Sequence, residues 1–179
     1  MGKKVRRVVT VHDKNGVATV IMYGKANCIL QRPNRPGVTL TNLWQSDRSP
    51  ADMERHVDPV AGPLFLHPPK NGSVFRIVQF DPEDPKQLTK LDGKAAFAEM
   101  GAGANIVEGA RHPFMHRTDS LDYAVVLTGE IYMMMDEDEY LLKAGDVVIQ
   151  QGTNHAWSNR GPETCQIAFI LIDADKHKG

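Results

Sequence analysis

The chain has 179 residues, of which 41% are hydrophobic and 24% charged, with a formal net charge of −1, values of a globular chain able to bury a sizeable core. The near-zero charge gives no electrostatic footprint for nucleic acid or an anionic membrane, and no apolar run approaches the 18 residues of a membrane-spanning helix. Two distant cysteines, Cys28 and Cys165, exclude a disulfide scaffold, and with no signal-peptide core after "MGKKVRR" a cytoplasmic location is expected.

"VRRVVTVH" and "VATVIMYG" are joined by "DKNG", a turn of residues that tolerate left-handed conformations, so residues 5–23 are predicted as a hairpin. "NCILQRPNRPGV" is predicted as a loop and "TLTNLWQSD" as a strand. Residues 46–72, with five prolines, are expected to be irregular, with at most a short edge strand at "LFLHP". "GSVFRIVQFDP" is a strong strand, and "DPEDPKQLTKL" a charged loop. "DGKAAFAEMG" is the one good helix, capped by Asp92 and ended by Gly101. From residue 104 the pattern is strand and turn: "LDYAVVLTG", "EIYMMMD", "EYLLKAG", "DVVIQQG", "HAWSNRG" and "TCQIAFILID". Such spacing indicates a sandwich or barrel. We expect a single domain over 1–179, with N-terminal strands and irregular chain over 1–102 and a compact β-barrel over 103–175.

Ligand-capable residues interrupt the apolar strands in two segments, "HRTDSLDYAVVLTGE" (116–130) and "GDVVIQQGTNHAWSN" (145–159). Together these resemble the two motifs of the cupin superfamily, small jelly-roll barrels marked by G-x5-H-x-H-x3-4-E-x6-G and G-x5-P-x-G-x2-H-x3-N. His116 falls on the first histidine, Thr118 on the second, Asp122 on the glutamate and Gly129 on the closing glycine. Gly145 matches the opening glycine of the second motif, and Gly152, His155 and Asn159 keep its final spacing. Fifteen residues, 130–144, separate the two. The resemblance covers roughly residues 103–172 and extends to a subgroup of single-domain bacterial and fungal cupins. It implies an all-β double-stranded barrel with an N-terminal strand extension, one short helix and a ligand in its mouth, and a homodimer that covers edge strands.

The resemblance implies three histidines and a glutamate around a metal, and this chain departs from that set. Thr118 replaces a histidine, Asp122 is one methylene shorter than glutamate, a glutamine stands for the proline, and Gly145 to Gly152 is one residue short. His116, Asp122 and His155 remain as a candidate set. Two imidazoles and a carboxylate match in kind a non-haem Fe(II) centre or a catalytic zinc site. The same residues without metal make an acid/base pair, with Thr118 donating a hydrogen bond to substrate. Three functions stay open: a lyase or isomerase working by dehydration, decarboxylation or isomerisation on a partly apolar small molecule, an Fe(II)-dependent dioxygenase, and a non-catalytic ligand-binding cupin whose metal site has decayed.

Trp157 shares a strand face with His155 and is expected in the pocket wall, with Tyr123 pointing away. Arg76, isolated in an apolar strand, is a candidate for an anionic substrate group. His112 is placed at the pocket rim and Asn154 is a further substrate-binding candidate. His12, His56, His67 and His177 have no partners in view and are expected at the surface.

Overall fold

The structure is a computed structural model that describes residues 4–176, so the expectation for His177 lies outside the described residues. Strands β1 (Arg6–His12) and β2 (Ala18–Lys25) form the predicted hairpin. The Asp13 carboxylate accepts from the amides of Asn15 and Val17 and so closes its turn.

The predicted loop at 27–38 is instead a second hairpin. Strand β3 (Ile29–Arg32) pairs with β4 (Arg35–Ser46) around Pro33 and Asn34. The prolines that read as loop sit in the turn and at the start of β4, where strands tolerate a missing N–H. Residues 47–72 form no strand, β4 taking Ser46; Leu64 and Leu66 plug the core from an irregular chain.

After β5 (Ser73–Phe80), the expected charged loop holds one helical turn, α1 (Pro85–Leu88). Helix α2 (Gly93–Ala98) is capped by Asp92, whose carboxylate accepts from Ala95 N, and a 3-10 turn spans Gly103–Asn105. Then come β6 (Ser120–Thr128), β7 (Glu130–Met134), β8 (Glu139–Lys143), β9 (Val147–Gln151), β10 (Ala156–Ser158) and β11 (Cys165–Asp173). Among the described residues no helix is long and apolar enough to cross a membrane.

The fold is all-β, a cupin-type jelly roll. One sheet has the order β3-β4-β5-β11-β6-β9 and the facing one β10-β7-β8, with every pairing antiparallel. β3 to β5 therefore supply half of the large sheet, and of the N-terminal strands only the β1–β2 ribbon stands outside it. Gly129 makes the turn between β6 and β7 at φ +70, and a Cβ there would stand 3.1 Å from Cys165 Cα. Both the conformation and the close approach favour glycine.

Strand period places Val74, Arg76, Val78 and Phe80 of β5 on the inner face, with Ile167, Phe169 and Leu171 of β11 beside them. The ladder continues from Leu171 to Asp122 on β6 and from Asp122 to Gln150 on β9. Register alone thus carries an arginine and a carboxylate into the apolar interior between the sheets.

Candidate functional site

Between the two sheets lies a cavity of about 90 Å3, open to solvent at its mouth. Its wall is mainly aliphatic and aromatic, with Trp157 edge-on to Phe169 at 5.4 Å between ring centroids. Into it project His116, Thr118, Asp122, His155 and three arginines, Arg32, Arg35 and Arg76. Apolar walls with a few convergent polar groups are the usual make-up of a small-molecule site.

His116 and His155 sit on neighbouring segments joined by two backbone bonds, each amide donating to the other's carbonyl at 2.9 Å. Their ring centroids are 4.3 Å apart. Each Nδ1 lies 3.0 Å from a carbonyl two residues back, Phe114 O for His116 and Thr153 O for His155. A carbonyl only accepts, so His116 Nδ1 carries the proton and its Nε2 keeps the lone pair. The Gln150 amide lies against the His155 ring, leaving His116 Nε2 the freer of the two. Burial holds His116 well below its ordinary pKa of 6.5, helped by the neighbouring His155, which repels a second proton, and by the Arg32 charge. Burial also brings His155 down to about 4, against the Thr153 carbonyl. Both imidazoles are therefore neutral at pH 7.

Asp122 is displaced in the opposite direction. Burial raises its pKa to about 6, against the lowering effects of Ser120 and the Arg76 charge. Ser120 Oγ lies 2.6 Å from Asp122 Oδ1 and 2.8 Å from Thr118 Oγ1. An ionised carboxylate only accepts, so Ser120 donates to Asp122 and its oxygen can take the Thr118 proton. Thr118 is thereby tied to the acid through a serine that the motif does not mark.

Arg76 is buried at the floor of the cavity, where Nη2 donates to Phe65 O and Leu66 O at 2.9 Å and Nε has no partner. Arg32 and Arg35, on the two sides of the β3–β4 turn, lie over the rings of Phe97 and Phe114. Phe97 in turn packs on the His116 ring at 4.4 Å. Arg35 is ion-paired with Glu83 at 2.5 Å, and Glu83 also accepts from Ser158. Burial would raise Glu83, but His112, Ser158 and Arg35 outweigh it and hold its pKa at about 2.

The cavity thus gathers His116, Thr118, Asp122, His155, Trp157 and Arg76. It does not gather His112, which is buried behind Phe114 with Nε2 3.7 Å from Glu83 rather than at a rim. Nor does it gather Asn154, whose amide donates outward to the Asp136 carboxylate. Tyr123 points away from the core. Arg32, Arg35, Ser120 and Glu83 were not singled out from sequence. The first two lay in a stretch read as loop, and only the Asn34 turn between two apolar-alternating segments signalled the hairpin.

For a metal, His116 Nε2 is a suitable donor, its other nitrogen bonded to a carbonyl as metal-ligating histidines have, whereas His155 Nε2 has the Gln150 amide 3.2 Å away. Among the described residues no three His, Cys, Asp or Glu side chains converge on a common point, and Asp122 and Thr118 are engaged with Ser120. In this geometry the proposed His116, Asp122, His155 ligand set does not fit a three-ligand centre.

A cupin domain model matches residues 98–172. The chain is 35% identical to phomopsin biosynthesis cluster protein C′ of Diaporthe leptostromiformis over 138 residues, 73% of this chain and 59% of that protein. It is 28% identical to oryzines biosynthesis cluster protein J of Aspergillus oryzae, covering 96% of this chain and 84% of that protein. It is 26% identical to the cupin-domain-containing oxidoreductase virC of Hypocrea virens, covering 73% and 57%. The chain spans about three fifths of the length of the phomopsin cluster protein it matches.

Proposed function

This chain belongs to the cupin superfamily through residues 98–172, and from that premise we propose that it is a small-molecule enzyme of the lyase or isomerase kind, working by acid/base chemistry. The observation that carries the reading is the opposed displacement of two kinds of group in one cavity. Two neutral imidazoles share the cavity with a carboxyl whose pKa is raised to about 6. Environments that push pKa values away from their ordinary order are how acid and base roles are divided.

His116 Nε2 is the base that takes a proton from carbon next to a carbonyl. His155, stacked against it and equally neutral, is better placed to position it than to act as the acid. The acid is Asp122, partly protonated near neutrality, with Thr118 and Ser120 relaying a hydrogen bond to it. In a dehydration the C–H electron pair forms the C=C bond, the C–O bond breaks, and the leaving oxygen departs as water with the Asp122 proton. In an isomerisation the proton returns at another carbon.

A second reading, an oxidoreductase, draws on the name of the Hypocrea virens relative, which says oxidoreductase and names no metal; its Fe(II) dependence is carried over from the dioxygenase expected from sequence. The two separate in one experiment. A panel of β-hydroxy and unsaturated carbonyl compounds is incubated with the protein in D2O, and deuterium at the carbon beside the carbonyl is read by NMR. The expected result is incorporation that survives chelation and falls about 100-fold or more in His116→Gln, the range of a lost general base. Incorporation unchanged in His116→Gln would sink the acid/base reading. Loss on chelation with recovery on anaerobic Fe(II) addition would favour the metal enzyme.

A further inference from the structure

The cavity holds more positive charge than its own acids neutralise. Arg35 is answered by Glu83, and Arg76 faces the charge of Asp122 across the sheet. Arg32 is the remainder. It is 6% exposed, makes one hydrogen bond, Nη1 to Ala96 O at 2.9 Å, and leaves Nε without a partner. Among the described residues it has no ion-pair partner; Glu99 acts on it only at longer range. A buried guanidinium with most of its donors unused is costly unless an anion completes it.

We propose that the cavity takes an organic monocarboxylate whose carboxylate is bound by Arg32 beside Arg35, with an apolar body lying on Phe80, Trp157 and Phe169. The proposal rests on reading the cavity as the substrate site, but not on the acid/base step. Three features select this ligand. One unanswered positive charge matches a monoanion, whereas a phosphomonoester dianion would bring a second charge into an apolar site. The flat guanidinium fork matches a carboxylate in two parallel bonds. Phe97 touches both Arg32 and His116, its ring centroid 4.4 Å from the imidazole centroid and 5.5 Å from the Arg32 guanidinium carbon. A carboxylate on Arg32 would therefore anchor the ligand in the part of the cavity that His116 also lines.

The test uses trans-cinnamate, cinnamamide and phenyl phosphate as probes, with affinity read by calorimetry on the whole chain. Cinnamate is expected to bind at least tenfold more tightly than cinnamamide, and phenyl phosphate more weakly than cinnamate. Arg32→Met removes the preference of acid over amide, Arg32→Lys keeps part of it, and Arg48→Met, an exposed arginine away from the cavity, leaves it unchanged. Equal binding of acid and amide by the unaltered protein, or no binding of either, overturns the proposal without reference to any variant. So does a preference that persists in Arg32→Met. Tighter binding of phenyl phosphate overturns the monoanion assignment. Because the readout needs no turnover, cinnamate preference without deuterium incorporation leaves the anion subsite standing and sinks the acid/base reading; the reverse outcome does the opposite.

Discussion

Arg76→Met lowers the stability of the protein by about 2–5 kcal/mol, read as the shift in urea unfolding free energy at pH 7.5. Arg76 is 2% exposed in the middle of β5, and its two bonds to Phe65 O and Leu66 O fasten the irregular 47–72 segment to the large sheet. Replacing a buried charge by a side chain of similar volume can be neutral when both partners of an ion pair are removed together. Here the partners are backbone carbonyls, which no side-chain substitution removes, and each loses its donor. The same change takes away the positive charge that opposes the upward displacement of Asp122, so the Asp122 pKa rises further. A stability change below about 0.5 kcal/mol would show that Phe65 and Leu66 find other donors, and that Arg76 is present for a ligand alone.

The second large effect is a loss of stability on acidification from pH 7 to pH 4. An imidazole whose pKa is depressed in the folded state favours folding while the unfolded chain is also neutral. Below about 6.5 the unfolded chain takes up the proton first, and stability falls until the folded-state value is reached. His155 spans about 6.5 to about 4, on the order of 3 kcal/mol, and His116 is displaced in the same direction. Asp122 works the other way. Its raised pKa makes it destabilising above pH 6, and that is relieved as pH falls from about 6 toward 3.8. Two histidines outweigh one aspartate, so the net slope is a loss. Glu83, held at about 2, adds a further loss only below its ordinary value of 4.5. Urea unfolding at pH 7.5, 6, 5 and 4.5 should show this slope, and His155→Gln should flatten it. A flat profile in the unaltered protein would mean that the histidines protonate freely in the folded state.

The jelly roll was legible because its information is local. Alternation in "SLDYAVVLT" and "CQIAFILID" separates inner from outer residues, and Gly129 needs its left-handed turn. Half of the site was equally local, since His116, Asp122 and His155 stand on motif spacings. The other half was not. Arg32 and Arg35 read as loop residues because Pro33 and Pro36 mask a hairpin, and their approach to Phe97 and Phe114 depends on packing across more than sixty positions of chain. Arg76 stood out because a charge within an apolar strand is conspicuous by itself. His112 was expected at the pocket rim, yet its partner Glu83 lies 29 residues earlier in chain with no pattern linking the two. Asn154 was misjudged for a related reason: beside a site histidine in sequence, it points to Asp136 because adjacent residues of extended chain face opposite ways.

The paired bonds between His116 and His155 have a consequence for how the cavity breathes. Each amide hydrogen is held by the other residue's carbonyl, so neither can exchange with solvent unless the two segments part. Any opening that admits a ligand by moving the 114–116 segment must release both protons in one event. Amide hydrogen exchange should therefore give His116 and His155 the same protection factor, lower than that of the β5–β11 ladder if the segment opens on its own and equal to it if the site opens only with the whole fold.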